Sequence, residues 1–218
     1  MRTNRIRKYK NSLNKTKKNK IKNKMSKPKR LNGEIYFKDF PDFRPNLSPR
    51  QIFKMGSFGG TYWRAIKSKF HNTILKNQHK KYPKSWWKGI PDAHLTRPFE
   101  KYDAKINKYG KKVGTTLQFW EDKGWIKQEN PYGWVQWYCD FYLGKRGKDD
   151  ERQIKRWKQL TGPNGRFRKW LVTQILKKGT KKDWNNHDIS PAIRQTLQHW
   201  GYKLKKKDFN MELNNRKK

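Results

Sequence analysis

Apolar positions along the chain group into short helical stretches divided by clear stop signals, and no segment sustains the period-two alternation of a strand. Ser48-Pro49-Arg50-Gln51 combines an N-cap, a proline in the first turn and a glutamine at the capping-box position, and Gly56 ends the helix so opened. Thr115 or Thr116 opens a second helix over Leu117–Lys123, and Gly124-Trp125 has the glycine-then-hydrophobe form of a Schellman stop. Asn130-Pro131 opens a third, running to Leu143 and stopping at Gly144. Asp149 caps a fourth that ends near Leu160, a fifth runs from about Arg166 to Lys178, and Ser190-Pro191 opens a sixth that stops at Trp200-Gly201-Tyr202. Residues 57–112, rich in Gly, Pro and aromatics, read as irregular with short helices. The predicted fold class is all-α: a compact bundle of about six short helices with disordered basic termini. Thr116–Trp120 and Thr196–Trp200 echo each other, as a duplicated unit or as two similar helix ends.

The third helix carries Trp134, Val135, Trp137, Tyr138, Cys139, Phe141 and Tyr142, apolar on nearly every side, which marks a buried central helix. Cys139 then packs as a small hydrophobe, with no His or Asn placed by sequence to activate it. Trp86-Trp87, between Lys84 and Lys88, fits either core packing or an exposed stacking platform.

Charge changes the picture. Among 218 residues there are 56 Lys and Arg against 17 Asp and Glu, a formal net charge of +39. Such a chain repels itself unless a polyanion is near, so nucleic acid is the expected partner and an anionic membrane surface the second. Hydrophobic residues are only 32%, but 15% are aromatic, including 11 Trp. Large rings let a core form from few positions. Residues 1–30 hold 14 Lys or Arg and no acid, and read as a disordered Lys-rich tail ending at Lys29-Arg30. Residues 31–204 read as one mainly helical, aromatic-rich domain, and 205–218 as a basic, frayed C-terminus. No run of apolar residues is long enough for a membrane span, no apolar segment follows the basic N-terminus as in a secretory signal, and one cysteine builds no disulfide framework. The expected setting is intracellular: nucleus, viral factory or virion interior.

Residues 144–178 carry the densest candidate chemistry. A loop with Lys145, Arg146 and Lys148 precedes a helix bearing Arg152, Lys155 and Arg156 off its Ile154/Trp157/Leu160 stripe. The turn Gly162-Pro163-Asn164-Gly165 then leads into a helix starting with Arg166, Arg168 and Lys169. A helix N-terminus offers unpaired N–H groups and partial positive charge, and glycines allow close approach of a phosphate. The predicted nucleic-acid contacts are therefore these cations, Gly162, Asn164 and Gly165, with Lys29 and Arg30 at the end of the tail. A hairpin with solvated basic faces explains the same residues without a ligand. The pair resembles a helix-hairpin-helix or a helix-turn-helix, but its glycines are separated by Pro163-Asn164 rather than by one apolar residue.

Pro45–Pro49, Gly56–Arg64, Trp86–Ile90, Asp149–Trp157 and Gln195–Tyr202 together resemble an uncharacterised family of basic, Trp-rich proteins from large DNA viruses and some microbial eukaryotes. The resemblance spans roughly residues 40–205 and implies no activity and no catalytic residues.

Enzyme signatures are sparse. His71, His79, His94, His187 and His199 lack metal-ligand spacing, and there is no Walker loop, Gly-x-Gly-x-x-Gly or Gly-x-Ser-x-Gly. Gly56-Ser57-Phe58-Gly59-Gly60 reads as a turn. Asp149, Asp150 and Glu151 suit helix capping better than a metal site. A base-excision glycosylase is the sharper enzyme reading, with Asp183 or Asp188 about 20 residues beyond the turn. No cofactor and no metal is expected. The leading expectation is sequence-tolerant binding of nucleic acid, DNA before RNA, through phosphates, with genome condensation or packaging as its use. The rival is a structural protein bridging acidic partners in a virion or ribonucleoprotein.

Overall fold

The computed structural model describes residues 28–217, so the basic tail lies outside the described residues as far as residue 27. Lys29 and Arg30, expected as the end of a nucleic-acid arm, instead belong to a small antiparallel hairpin, β1 (Lys29–Leu31) and β2 (Glu34–Tyr36). Arg30 donates to Gly33 O at 2.9 Å and to Gln51 Oε1 at 2.8 Å, which fastens the hairpin to the helix that follows.

Local signals set most helix ends. In α1 (Pro49–Lys54) Ser48 Oγ accepts from Gln51 N at 3.3 Å and Gln51 Oε1 accepts from Ser48 N at 2.9 Å, closing the predicted capping box. A single turn, α2 (Lys84–Trp87), lies within an irregular stretch of 3-10 turns, as expected for residues 57–112. Thr116 caps α3 (Leu117–Asp122), and Gly124 at φ +66 ends it with two Schellman bonds, Gly124 N to Glu121 O at 3.0 Å and Trp125 N to Trp120 O at 2.9 Å.

The third predicted helix begins later than Asn130-Pro131. Residues 130–133 form a turn, Gly133 N donating to Asn130 O at 2.8 Å, and α4 (Trp134–Tyr142) starts after Gly133. Gly133 sits at φ +83, a backbone state that favours glycine, so the helix cannot extend back through it. Further on, α5 (Asp150–Thr161), α6 (Arg166–Lys178) and α7 (Pro191–His199) lie close to expectation. The C-terminal segment departs from it: α8 (Lys206–Asn215) buries Phe209 against α6 and α7, where composition alone suggested fraying. The fold is mostly α, about 47% helical with 5% strand. No helix among the described residues is long and apolar enough to cross a membrane.

The echo between residues 116–120 and 196–200 is not a structural repeat. Thr116 is an N-cap, whereas Thr196 lies inside α7 with its hydroxyl donating to Ala192 O at 3.0 Å.

Two apolar clusters form the interior. The first surrounds α4 and is aromatic: Phe43 meets Trp157 edge-on at 5.1 Å, and Tyr138 and Cys139 are fully buried. Burial pushes the Cys139 thiol well above its ordinary pKa, so it stays a protonated hydrophobe. Trp86 is buried and stacks on Tyr82 at 5.8 Å, while Trp87 Nε1 donates to His79 O at 2.9 Å; this pair is core, not a platform. The second cluster joins Leu171, Val172 and Ile175 of α6 to Leu197 of α7 and Phe209 of α8. Trp157 Nε1 donates across to Trp200 O at 2.9 Å, linking α5 to the end of α7. Edge-on and offset aromatic pairs each contribute about 0.5–1.5 kcal/mol beyond area burial, which offsets the low count of aliphatic residues.

Candidate nucleic-acid interface

The predicted phosphate-docking turn is built for helix packing instead. A Cβ on Gly165 would lie 2.5 Å from Thr161 N and 2.6 Å from Leu160 C, and one on Gly162 would lie 2.7 Å from Lys158 O. Both glycines face the backbone of the last turn of α5, and both are buried. Their N–H groups are already used, Gly162 N on Lys158 O at 3.2 Å and Gly165 N on Gly162 O at 2.8 Å. The glycine pair therefore lets α6 start directly against α5, with neither glycine N–H left for a phosphate, while Asn164 between them is exposed.

Arg168 is the second correction. It shares the 168/171/172/175 face of α6 with the apolar cluster and is only 5% exposed. Its guanidinium lies 3.1 Å from Asp208 of α8, a charge contact whose angle falls short of a hydrogen bond, and 5.3 Å from the centroid of the Tyr202 ring. Asp208 in turn accepts from Tyr202 OH at 2.8 Å. Arg166 and Lys169 do point outward, as expected.

Arg146 is likewise committed to the fold. It pairs with Asp39, donates to Phe141 O at 2.7 Å and stands 3.6 Å over the Phe141 ring. Lys145 is exposed and pairs with Asp140 at 2.8 Å. Lys148 and Lys155 are exposed and have no ion-pair partner among the described residues. The acid cluster is structural: Asp150 accepts from Trp137 Nε1 at 2.7 Å and Gly147 N at 2.9 Å, and Asp149 holds Arg152 and Gln153. Asp183 is spent on a capping box with Thr180, whose N–H and hydroxyl donate to it at 2.7 and 2.9 Å and hold its carboxyl below the usual range. Neither Asp183 nor Asp188 lines a cavity described below. Among the described residues no three His, Cys, Asp or Glu side chains converge as metal ligands would.

What the sequence did not reveal is a groove. Two cavities of about 800 and 440 Å³ share walls that include Phe58, Tyr62, Phe119, Trp120 and Tyr132. The larger lies where α3, the start of α4, one face of α5, the first turn of α6 and the end of α7 meet. Arg152, Arg156, Gln159 and Leu160 supply the α5 wall, the i, i+4, i+7, i+8 face; Leu160, expected on the stripe of Ile154 and Trp157, lines the cavity from the edge of that stripe. Tyr62 and Trp134 lie at its base, both buried, and Phe119 and Trp125 form a rim, 39% and 41% exposed. These two rings meet edge-on at 5.8 Å because the Schellman turn at Gly124 folds Trp125 back toward α3. Arg156 lies 5.3 Å from both the Trp125 and the Trp200 ring centroids, and burial lowers its pKa to about 10, so it remains a cation at neutral pH. Arg166 lines the cavity from the start of α6, and Arg64 and Lys112 line the smaller cavity beside Phe99. No Asp or Glu is among the lining residues of either cavity.

Phe58, on the shared wall, adopts φ +56, a strained state for a bulky residue. His199 holds it there: Phe58 N donates to His199 Nε2 at 3.1 Å, and the two rings stack at 3.7 Å. Burial lowers His199 to about 3, so Nε2 is an unprotonated acceptor at neutral pH. Gln198 Nε2 adds bonds to Ile52 O at 2.7 Å and Ser57 Oγ at 2.9 Å, which ties the 52–58 segment to α7.

Of the predicted contacts, the groove brings together Arg152, Arg156 and Arg166 only. The sequence did hold one unused signal for the rest: aromatics on both sides of a helix stop, Phe119-Trp120 and Trp125, five positions apart at their nearest across Gly124's turn. Compared with known proteins, the chain matches no family model, no curated protein and no solved structure.

Proposed function

We propose that this protein binds nucleic acid in a sequence-tolerant way, through phosphate contacts made by Arg152, Arg156 and Arg166 at the groove and by exposed cations such as Lys148, Lys155 and Lys169. The observation that carries the reading is a groove lined by five cations and no acid, on a chain of net charge +39. Excess cationic charge of this kind raises the local concentration of a polyanion and speeds its association. Neutralising phosphates releases counterions, so affinity falls with salt. Genome condensation or packaging is the use that best suits such binding, with DNA as the polymer.

Filter binding or fluorescence anisotropy at several salt concentrations tests it. With three or more phosphates neutralised, log K against log[salt] has a slope of about −2 or steeper on single strands and about −3 or steeper on duplex. Binding that does not change with salt rejects the reading.

A further inference from the structure

We infer that the larger cavity takes the unpaired bases of a single DNA strand, the rings of Phe119 and Trp125 stacking on base faces while Arg152, Arg156 and Arg166 meet the adjoining phosphates. This deepens the nucleic-acid reading above and rests on it.

Four observations lead there. First, the cavity is about 800 Å³, inside the range of roughly 300–1,000 Å³ that suits small-molecule ligands. It has room for flat rings but not for a duplex, whose base faces are in any case covered by their neighbours in the stack. Second, Phe119 and Trp125 leave about two-fifths of their surface in solvent, and among the described aromatics only Trp170 is otherwise so exposed. Base stacking on such rings is sequence-tolerant because every base has a π-face. Third, three guanidinium groups stand at the same cavity, Arg152 paired with Asp149 but Arg156 and Arg166 with no ion-pair partner among the described residues, and no acidic residue lines it, so the complementary occupant is anionic as well as aromatic. An apolar peptide meets the rings but not the charges, an acidic peptide the charges but not the rings, and the chain's own Lys-rich N-terminus is repelled. Fourth, the wall is fixed in advance. Phe58 is held in a strained conformation by buried His199, and Arg156 is held between two indoles, which lowers the ordering cost of binding.

The choice of DNA rather than RNA is carried over from the reading above. A 2′-hydroxyl is recognised by hydrogen-bonding groups. Three hydroxyls of the lining are occupied, Tyr62 OH donating to Tyr132 O at 2.7 Å, Tyr132 OH to Arg64 O at 2.7 Å and Thr196 Oγ1 to Ala192 O at 3.0 Å, whereas Gln159 and the indole N–H of Trp134 have no hydrogen-bond partner among the described residues, so oligo-rU is compared directly below.

The test uses the full chain and fluorescein-labelled 12-mers at matched salt: oligo-dT, an abasic strand of the same length and charge, oligo-rU and a DNA duplex. Oligo-dT is expected to bind at least about tenfold more tightly than the abasic strand, the gain typical of one or two stacked bases, and more tightly than oligo-rU and the duplex. The double variant Phe119→Ala/Trp125→Ala removes two exposed rings, so circular dichroism should show the fold intact. It should bring the affinity for oligo-dT down to that of the same variant for the abasic strand, so that the base-dependent gain is lost. Equal binding of oligo-dT and the abasic strand overturns this inference and leaves the phosphate reading standing. No binding of any strand overturns both. Preference for the duplex or for oligo-rU, or displacement of oligo-dT by polyglutamate at equal charge concentration, also overturns it.

Discussion

Replacing Arg168 with methionine tests whether α8 is fastened to the body by a buried charge pair. The Arg168 and Asp208 side chains are each only 6% exposed and lie 3.1 Å apart, so removing the guanidinium strands a carboxylate between α6 and α8. Stranding one member of a buried pair costs about 3–5 kcal/mol. For a chain of this size that lowers the melting temperature by roughly 6–20 °C. Arg168→Met/Asp208→Asn removes both charges and keeps an acceptor for Tyr202 OH, so its stability should return to within about 1–2 kcal/mol of the parent. Urea unfolding followed by tryptophan fluorescence reads the parent, Arg168→Met, Asp208→Asn and the double variant, and the loss in Arg168→Met should change little between 0.1 and 0.5 M salt because buried charges are poorly screened. A single-variant loss below about 1 kcal/mol, or a double variant as unstable as the two single losses added, refutes the buried-pair account. Nucleic-acid affinity measured well below the unfolding transition should be unchanged by Arg168→Met, since that side chain faces the interior.

Gly165→Ala should cost about 1–3 kcal/mol by thermal unfolding, because its Cβ would lie 2.5 Å from a backbone atom of α5, whereas Gly147→Ala, with open space at its Cβ, should be close to neutral. Stability should also fall in acid through His199. Its pKa is about 3 in the fold and about 6.5 unfolded, so its contribution is complete above pH 6.5 and declines as pH drops from there toward 3. Between pH 6.5 and 4 the parent should lose up to about 3 kcal/mol more than His199→Gln, at about 1.4 kcal/mol per pH unit, and parallel urea titrations of the two would show the assignment to be wrong.

Most helix ends were legible because their causes are local. The Ser48 capping box, the Gly124 and Gly201 Schellman stops and the Gly179 end of α6 each depend on residues within a few positions of one another. The aromatic core around α4 was legible too, since a helix apolar on all sides has nowhere to go but inward. Tertiary structure decided the rest. The segment around Phe209 looks like a charged tail until α6 and α7 offer it an apolar surface. Arg168 carries a charge that suggests solvent, yet its helical position puts it beside Leu171, Val172 and Ile175, and Asp208, forty residues on, makes that burial tolerable. Glycines at 162 and 165 are equally consistent with a phosphate cradle and with close helix approach, and only the backbone of α5 decides between them. The groove was beyond the sequence for the same reason: Phe58, Phe119, Arg152, Arg166 and Trp200 come from five separate stretches of chain, and no local rule fixes how those stretches meet. Sequence alone determined which segments coil, and that the molecule is cationic and aromatic; packing determined which cations are left facing solvent and which rings stand beside them.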